Sequence, residues 1–229
     1  MKHQSLELDK RIPEPELMDE HNQAKAYADA DFSVPHEMFV DLLEKRFGQD
    51  IRGLFLDLGC GPCDVTIRFA KRFPKTTIHA IDGSKPMLKE AKIKIHYHKL
   101  SQRIKLFHAK IPIKEDIISP NSYDGVIVNS LLHHLPSQEI LWQAIKKFVR
   151  QHGIIFVMDL IRPKDTQKAL TIVKKYSGDE PKILQRDFYH SLLAAYRESE
   201  VKNYLRGTNL SHLTIERVTD RHFIVWGKK

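Results

Sequence analysis

Apolar residues fall into two kinds of stretch that alternate along the chain. Residues 53–58 (GLFLDL), 76–81 (TTIHAI), 103–108 (RIKLFH), 123–129 (YDGVIVN) and 153–161 (GIIFVMDLI) are short, nearly continuous apolar runs. Such runs mark strands covered on both faces, where strict alternation is lost. Between them the spacing is helical. Val65, Phe69 and Phe73 recur every four residues before Pro74 stops the helix. Leu88, Ala91 and Ile95 share a face after Pro86, and Leu141, Ala144, Ile145 and Phe148 form a stripe after the potential cap Ser137, with Gly153 expected to close that helix.

Strictly alternating strands and helices predict an α/β fold, a doubly wound and mostly parallel sheet that receives ligands beyond the carboxyl ends of its strands. The tail departs from this. Residues 166–206 read as two or three helices, and HLTIERV and HFIVWG flank Thr219-Asp220-Arg221 as an antiparallel hairpin. Residues 1–50 are polar and proline-bearing before turning helical around Met38 to Phe47. The expected organisation is an N-terminal helical cap segment over 1–50 and one catalytic domain over 51–229, with 165–206 as a helical insert or lid. No internal repeat or low-complexity segment stands out.

Composition narrows the class. With 229 residues, 41% hydrophobic and 29% charged, the chain can bury a core of its own. No apolar run reaches the roughly 18–20 residues that span a bilayer. The first residues, MKHQSLELDKRIPEPE, lack the apolar core of a secretory signal. A cytoplasmic protein is therefore expected, with its two cysteines, Cys60 and Cys63, reduced. The net charge of +8 is concentrated between Lys85 and Lys110, where eight Lys and Arg stand against Glu90 alone. That segment is read as a solvated helix face and the strand after it, with a phosphate-binding face for nucleic acid as the alternative.

The densest chemistry lies in LFLDLGCGPCDVTIRFA, residues 54–70. Asp57 ends a strand, Gly59 and Gly61 make the turn, and a helix begins near Asp64. Glycine is needed where a ligand approaches a turning backbone closely. The next strand ends in Ile81-Asp82-Gly83-Ser84, where an acidic side chain can accept both hydroxyls of a ribose and would repel a 2′-phosphate. Two other readings of the loop are less favoured. The dinucleotide fingerprint would need its last glycine where Asp64 stands, and a carboxylate at that helix start repels pyrophosphate. Cys60-Gly61-Pro62-Cys63 matches the thioredoxin active-site tetrapeptide but lacks the preceding tryptophan and sits in a much larger domain.

DLGCGPC, followed by IDGSKPML and YDGVIVNSLLHHLP, resembles the class I, Rossmann-like S-adenosylmethionine-dependent methyltransferases of small molecules. The likeness covers residues 54–161 well and the flanks loosely. It implies a seven-stranded sheet ending in the antiparallel hairpin and a bound S-adenosyl-L-methionine. The cofactor would lie over Asp57, Gly59, Cys60 and Gly61, with its ribose on Asp82 and Gly83. Its adenine would sit near Met87 and Ala109, and its methionine end near Tyr27, Asn129 and Ser130. The pattern breaks twice: Cys63 replaces a frequent glycine, and Phe107-His108-Ala109-Lys110 lacks the usual acidic residue after the third strand.

Methyl transfer from a sulfonium needs alignment and exclusion of water, and no metal is required. The fourth strand ends in Asn129-Ser130-Leu131-Leu132-His133-His134-Leu135-Pro136. This segment has neither the Asn-Pro-Pro-Tyr type motif of amine methylation on bases nor the Pro-Cys pair of C5-cytosine methylation. A small-molecule acceptor is favoured over RNA. His133 and His134 are candidate catalytic groups, as either a base or a structural pair. Arg162, after the fifth strand, either grips an acidic acceptor or neutralises Asp159. Gln185-Arg186-Asp187-Phe188-Tyr189-His190 has the mixed character of a pocket lid. The acceptor's identity and the oligomeric state leave no mark on the sequence.

Overall fold

In the computed structural model, residues 7–14, 21–114 and 116–229 are described. Seven strands form one sheet: β1 (Arg52–Leu58), β2 (Lys75–Asp82), β3 (Ile104–His108), β4 (Tyr123–Asn129), β5 (Val149–Leu160), β6 (Thr214–Arg217) and β7 (His222–Lys228). Their order is β3-β2-β1-β4-β5-β7-β6, and β7 runs antiparallel to both of its neighbours. The first five strands are parallel, so their carboxyl ends share one edge of the sheet. Register sets Asp82 beside His108 and Asn129 beside Met158 along that edge.

Helices cover both faces. On one, α2 (Ser33–Phe47), α3 (Asp64–Arg72) and α4 (Lys85–Tyr97) enclose Phe39, Phe55, Phe69, Phe73, Ile78 and Phe156. The Val65, Phe69 and Phe73 stripe is buried as its spacing predicts. Each of these phenylalanines contributes about 1.5–3 kcal/mol through burial. On the other face α5 (Gln138–Phe148) and α8 (Glu198–Arg206) close over Leu56, Val126, Val128, Trp142 and Val225. A third cluster joins Leu8 and Leu160 to Ala169 and Ile172 of α6 (Thr166–Ser177) and Leu192 of α7 (Lys182–Ala194). The short helix α1 (His21–Asp29) packs on α4 and α7.

Local chemistry sets the boundaries. Ser84 and Ser137 accept backbone N–H groups from Met87 and Glu139 at the starts of α4 and α5, satisfying donors that a helix start leaves free. Gly153 does not close α5. That helix ends at Phe148, Val149 already opens β5, and Gly153 lies inside the strand within a register shift against β4. A Cβ at Gly153 would meet Val149 Cγ1 at 2.5 Å, so the glycine serves the close fold-back of the strand's start. Among the described residues no helix is long and apolar enough to cross a membrane. A cavity of about 240 Å³ lined by Gln49, Asp50, Ile51, Pro74 and Lys75 lies at the amino ends of β1 and β2, the edge away from the glycine turn.

Candidate active site

The turn after β1 is tied to β2 from both sides. The N–H groups of Gly59 and Cys60 both donate to the carbonyl of Ile81, at 2.9 and 3.0 Å. Asp82 then accepts from the N–H of Gly61 through Oδ2 at 2.8 Å and from that of Ser84 through Oδ1 at 2.7 Å. Gly59 and Gly61 take φ of 72° and 50°, the left-handed region. The two differ in surroundings. A Cβ at Gly59 would come 2.7 Å from Leu131, whereas at Gly61 it would meet nothing within 4 Å. Cys63 also lies left-handed, at φ 64°, which is the physical reason a glycine suits that position.

Asp57 is buried beneath the turn and accepts from Thr66 Oγ1 at 2.5 Å. Burial pushes its carboxyl up to about 7, against the bond from Thr66. Burial also raises Asp82, opposed by the bonds from Ser84 and Gly61. Both thiols are buried, and burial with the adjacent Cys63 sets the Cys60 thiol well above its ordinary range. A poised thiolate is the opposite case, which weighs against a redox role for the turn.

The remaining cofactor candidates line the same edge. Met87 is buried at the start of α4, and the N–H of Ala109 donates to the Asp82 carbonyl. His108 Nε2 lies 3.0 Å from the Gly83 carbonyl, occupying the ground where the acidic residue is missing. Ser130 is left-handed at φ 53°, and its N–H donates to Met158. Asn129 Oδ1 is buried without a partner among the described residues. Tyr27 stacks on Phe32 with ring centroids 4.8 Å apart, and burial with the charges of Asp64, Asp82 and Asp159 raises its hydroxyl to about 12. Lys94 pins this segment to the turn, donating to the Ala28 carbonyl and to Asp64 Oδ2.

These features fit the cofactor that the sequence implies. The opening at Gly61 admits a ligand against bare backbone, the unpartnered Asn129 carbonyl can accept from the cofactor's ammonium, and Asp82 carries the only charge a ribose diol needs.

Past β4, a 3₁₀ turn over Leu132–His134 presents the histidine pair. His133 is 2% exposed, and its Nδ1 lies 2.6 Å from Asp159 Oδ1, while Asp159 also accepts from the N–H groups of Leu132 and Leu160. Burial works against the charged form of both partners, but their mutual attraction outweighs it: His133 is raised and Asp159 lowered. His134 Nδ1 lies 2.5 Å from Glu14 Oε2. Burial would raise Glu14, yet His134, His133 and Ser191 together hold it at about 2.

Arg162 requires a correction. Its side chain is fully buried, forks onto Glu200 at 2.7 and 3.0 Å, and donates to the carbonyls of Leu8, Asp9 and Ala195. With every donor direction spent on the protein, it neither grips an acceptor nor neutralises Asp159, whose partner is His133. Glu14 and Arg11 are site residues that the sequence did not reveal. Arg11 donates to the carbonyls of His133 and Leu135, to that of Ala194 and to the Tyr196 hydroxyl, so an N-terminal strap grips the histidine turn. No local spacing signals this contact. In the suspected lid, Phe188 and Tyr189 pack on the third cluster, and α7 stands against the histidine turn.

Comparison with known proteins bears on the family and the fold. Residues 55–153 match the methyltransferase domain family. The malonyl-acyl-carrier-protein O-methyltransferase of Priestia megaterium is 33% identical over 134 residues, covering 57% of this chain and 44% of that protein. This chain thus spans less than half the length of that relative. A solved methyltransferase from Aquifex aeolicus superposes with a TM-score of 0.66 at 16% identity, covering 91% of this chain and 98% of the other. The plantazolicin methyltransferase, solved with S-adenosylhomocysteine and a triazolic desmethylPZN analog, gives 0.66 at 15% identity and covers 91% and 90%.

Proposed function

Because the chain belongs to the class I, Rossmann-like methyltransferases, we propose that it transfers a methyl group from S-adenosyl-L-methionine to a small-molecule acceptor. The observation that carries this reading is the pairing of Asp82 with the Gly61 turn, which leaves bare backbone open to a ligand beside a carboxylate suited to a ribose diol. When bound, the cofactor supplies an electrophilic methyl group on a sulfonium. The chain's own residues have the simpler task of holding and orienting. Asp82 takes the ribose, Asn129 and Ser130 the methionine end, Met87 and Ala109 the adenine, and Tyr27 of α1 covers the methionine side.

The acceptor enters over β4 and β5, beneath α6 to α8 as a lid. His134 stands there partly exposed, while His133 is held rigid by Asp159. These two are the residues we assign to the acceptor side; replacing each should lower turnover while cofactor stays bound. We place the protein in the cytoplasm, where its thiols stay reduced. An RNA acceptor is the less favoured reading. Lys94 and Arg103 of the basic segment are spent inside the fold, Arg103 donating to the carbonyls of Ala70, Phe73 and Thr76. The rest lies along α4 and β3, on the cofactor half of the sheet. Calorimetry with S-adenosylmethionine and S-adenosylhomocysteine tests the main reading, and binding of neither would overturn it. Retention on RNA that falls steeply with salt would instead favour the nucleic-acid acceptor.

A further inference from the structure

We propose that Glu14, His133 and His134 form a binding site for a divalent transition-metal ion, with Zn²⁺ as the ion best suited to it. One ligand atom from each residue lies within 4.8 Å of those from the other two. Two imidazoles and one carboxylate are a donor set that suits zinc, and three protein ligands leave a position for water or for a heteroatom of a small molecule.

The support behind these side chains resembles that of a built site rather than a chance meeting. Asp159 already accepts two backbone N–H groups, so toward His133 it can only accept again, and Nδ1 of that ring carries the proton. The lone pair of His133 is then on Nε2, away from Asp159. A carboxylate that orients a histidine in this way is the usual backing of a metal-bound imidazole. His134 stacks beside it, ring centroids 4.1 Å apart. Glu14 is brought in from the far end of the chain by a rigid clamp. Arg11, three residues earlier, donates to the carbonyls of His133 and Leu135, and the Ile12 N–H donates to the Leu193 carbonyl. The same guanidinium thus fixes both the carboxylate-bearing strap and the turn bearing the two imidazoles.

Glu14 Oε2 and His134 Nδ1 lie 2.5 Å apart, so the carboxylate and ring satisfy each other. An ion would open that contact and take a lone pair from each of the three residues. The site lies at the carboxyl end of β4, and only its nearness to the acceptor rests on the functional reading above.

The full chain, stripped with chelator, is titrated with Zn²⁺ by calorimetry and with Co²⁺ by visible absorption. One ion per chain should bind, with a Co²⁺ spectrum of low coordination number. Glu14→Gln and His134→Gln, both at partly exposed positions, should each weaken binding at least tenfold while keeping the parent's melting temperature within a few degrees. His152→Gln, at an exposed histidine remote from the three ligands, should leave metal binding unchanged. Absence of a saturable site, or equal affinity in the parent and both variants, would overturn the proposal and leave an ion pair only. S-adenosylhomocysteine binding is measured on the same samples, so a failure of the cofactor reading is seen separately from a failure of the metal site.

Discussion

The backbone N–H of Gly61 donates to Oδ2 of Asp82 over 2.8 Å, joining the turn after β1 to the last residue of β2. One carboxylate therefore shapes the turn and, in the proposed reading, is the group that would meet the ribose. Asp82→Asn keeps the size of the side chain but puts a neutral amide where a charged acceptor stood. A hydrogen bond to a charged group is worth about 1.5–3 kcal/mol, so the dissociation constant of S-adenosylhomocysteine should rise roughly 10- to 150-fold. Calorimetry checks this, and an unchanged constant would remove Asp82 from the site.

Gly59 and Gly61 share a backbone conformation but should fail differently. Alanine at Gly59 adds left-handed strain and a contact with Leu131 at 2.7 Å, together about 2–4 kcal/mol of stability. Alanine at Gly61 adds only the strain, about 1–2 kcal/mol, because no protein atom stands near its Cβ. That methyl group would instead occupy cofactor space. Gly61→Ala is expected to stay folded and lose cofactor affinity at least tenfold. Melting and binding measured on both variants give the comparison, and parental affinity in Gly61→Ala would contradict the cradle.

How much of this was legible depended on distance along the chain. The strands, the helix stripes, the hairpin and the glycine turn rest on patterns within about 20 residues, and periodicity exposes those directly. The span of β5 was misjudged because Gly153 looks like a helix stop when read locally, whereas its role is to let the strand pass close to Val149. Arg162 escapes a sequence reading for a different reason. Its partners Leu8, Asp9 and Glu200 converge only when the N-terminal strap and α8 meet. The same convergence hid Glu14 and Arg11, since no spacing rule links them to the histidine pair.

Arg162 should matter to folding and little to the cofactor. Its guanidinium is fully buried and joins Glu200 to three backbone carbonyls, so Arg162→Met removes the counter-charge of Glu200 and the donors to Asp9 and Ala195, while Arg197 still donates to Leu8 and to Glu200. Removing one partner of a buried pair costs about 3–5 kcal/mol. Urea denaturation should register that loss, and Glu200→Gln should also destabilise, because it leaves the fully buried guanidinium without its counter-charge. S-adenosylhomocysteine affinity of the folded Arg162→Met fraction should match the parent. A change under about 1 kcal/mol in stability would refute the structural assignment, being well short of the cost of a broken buried pair.

Stability should also respond to pH through His222, which is 5% exposed at the start of β7. Burial, reinforced by the neighbouring Arg221 charge, lowers its pKa from 6.5 to about 3. The folded protein holds this ring neutral, while the unfolded chain takes up a proton below about pH 6.5. The unfolded state then binds more protons, and stability falls as the pH drops from 6.5 toward 3. Each pH unit in that window costs about 1.4 kcal/mol, giving about 2 kcal/mol at pH 5. His36, lowered by burial to about 4, acts in the same direction. Asp57 acts oppositely: raised to about 7, it binds its proton more readily when folded and favours the fold as the pH drops below 7. These contributions overlap in the parent, so the difference between parent and His222→Gln is the informative quantity. The variant should gain about 2 kcal/mol relative to the parent between about pH 7 and pH 5, or about 4–8 °C in melting temperature for a chain of this size. Parallel melting curves at the two pH values, with no change in their separation, would show that His222 is not held neutral in the fold.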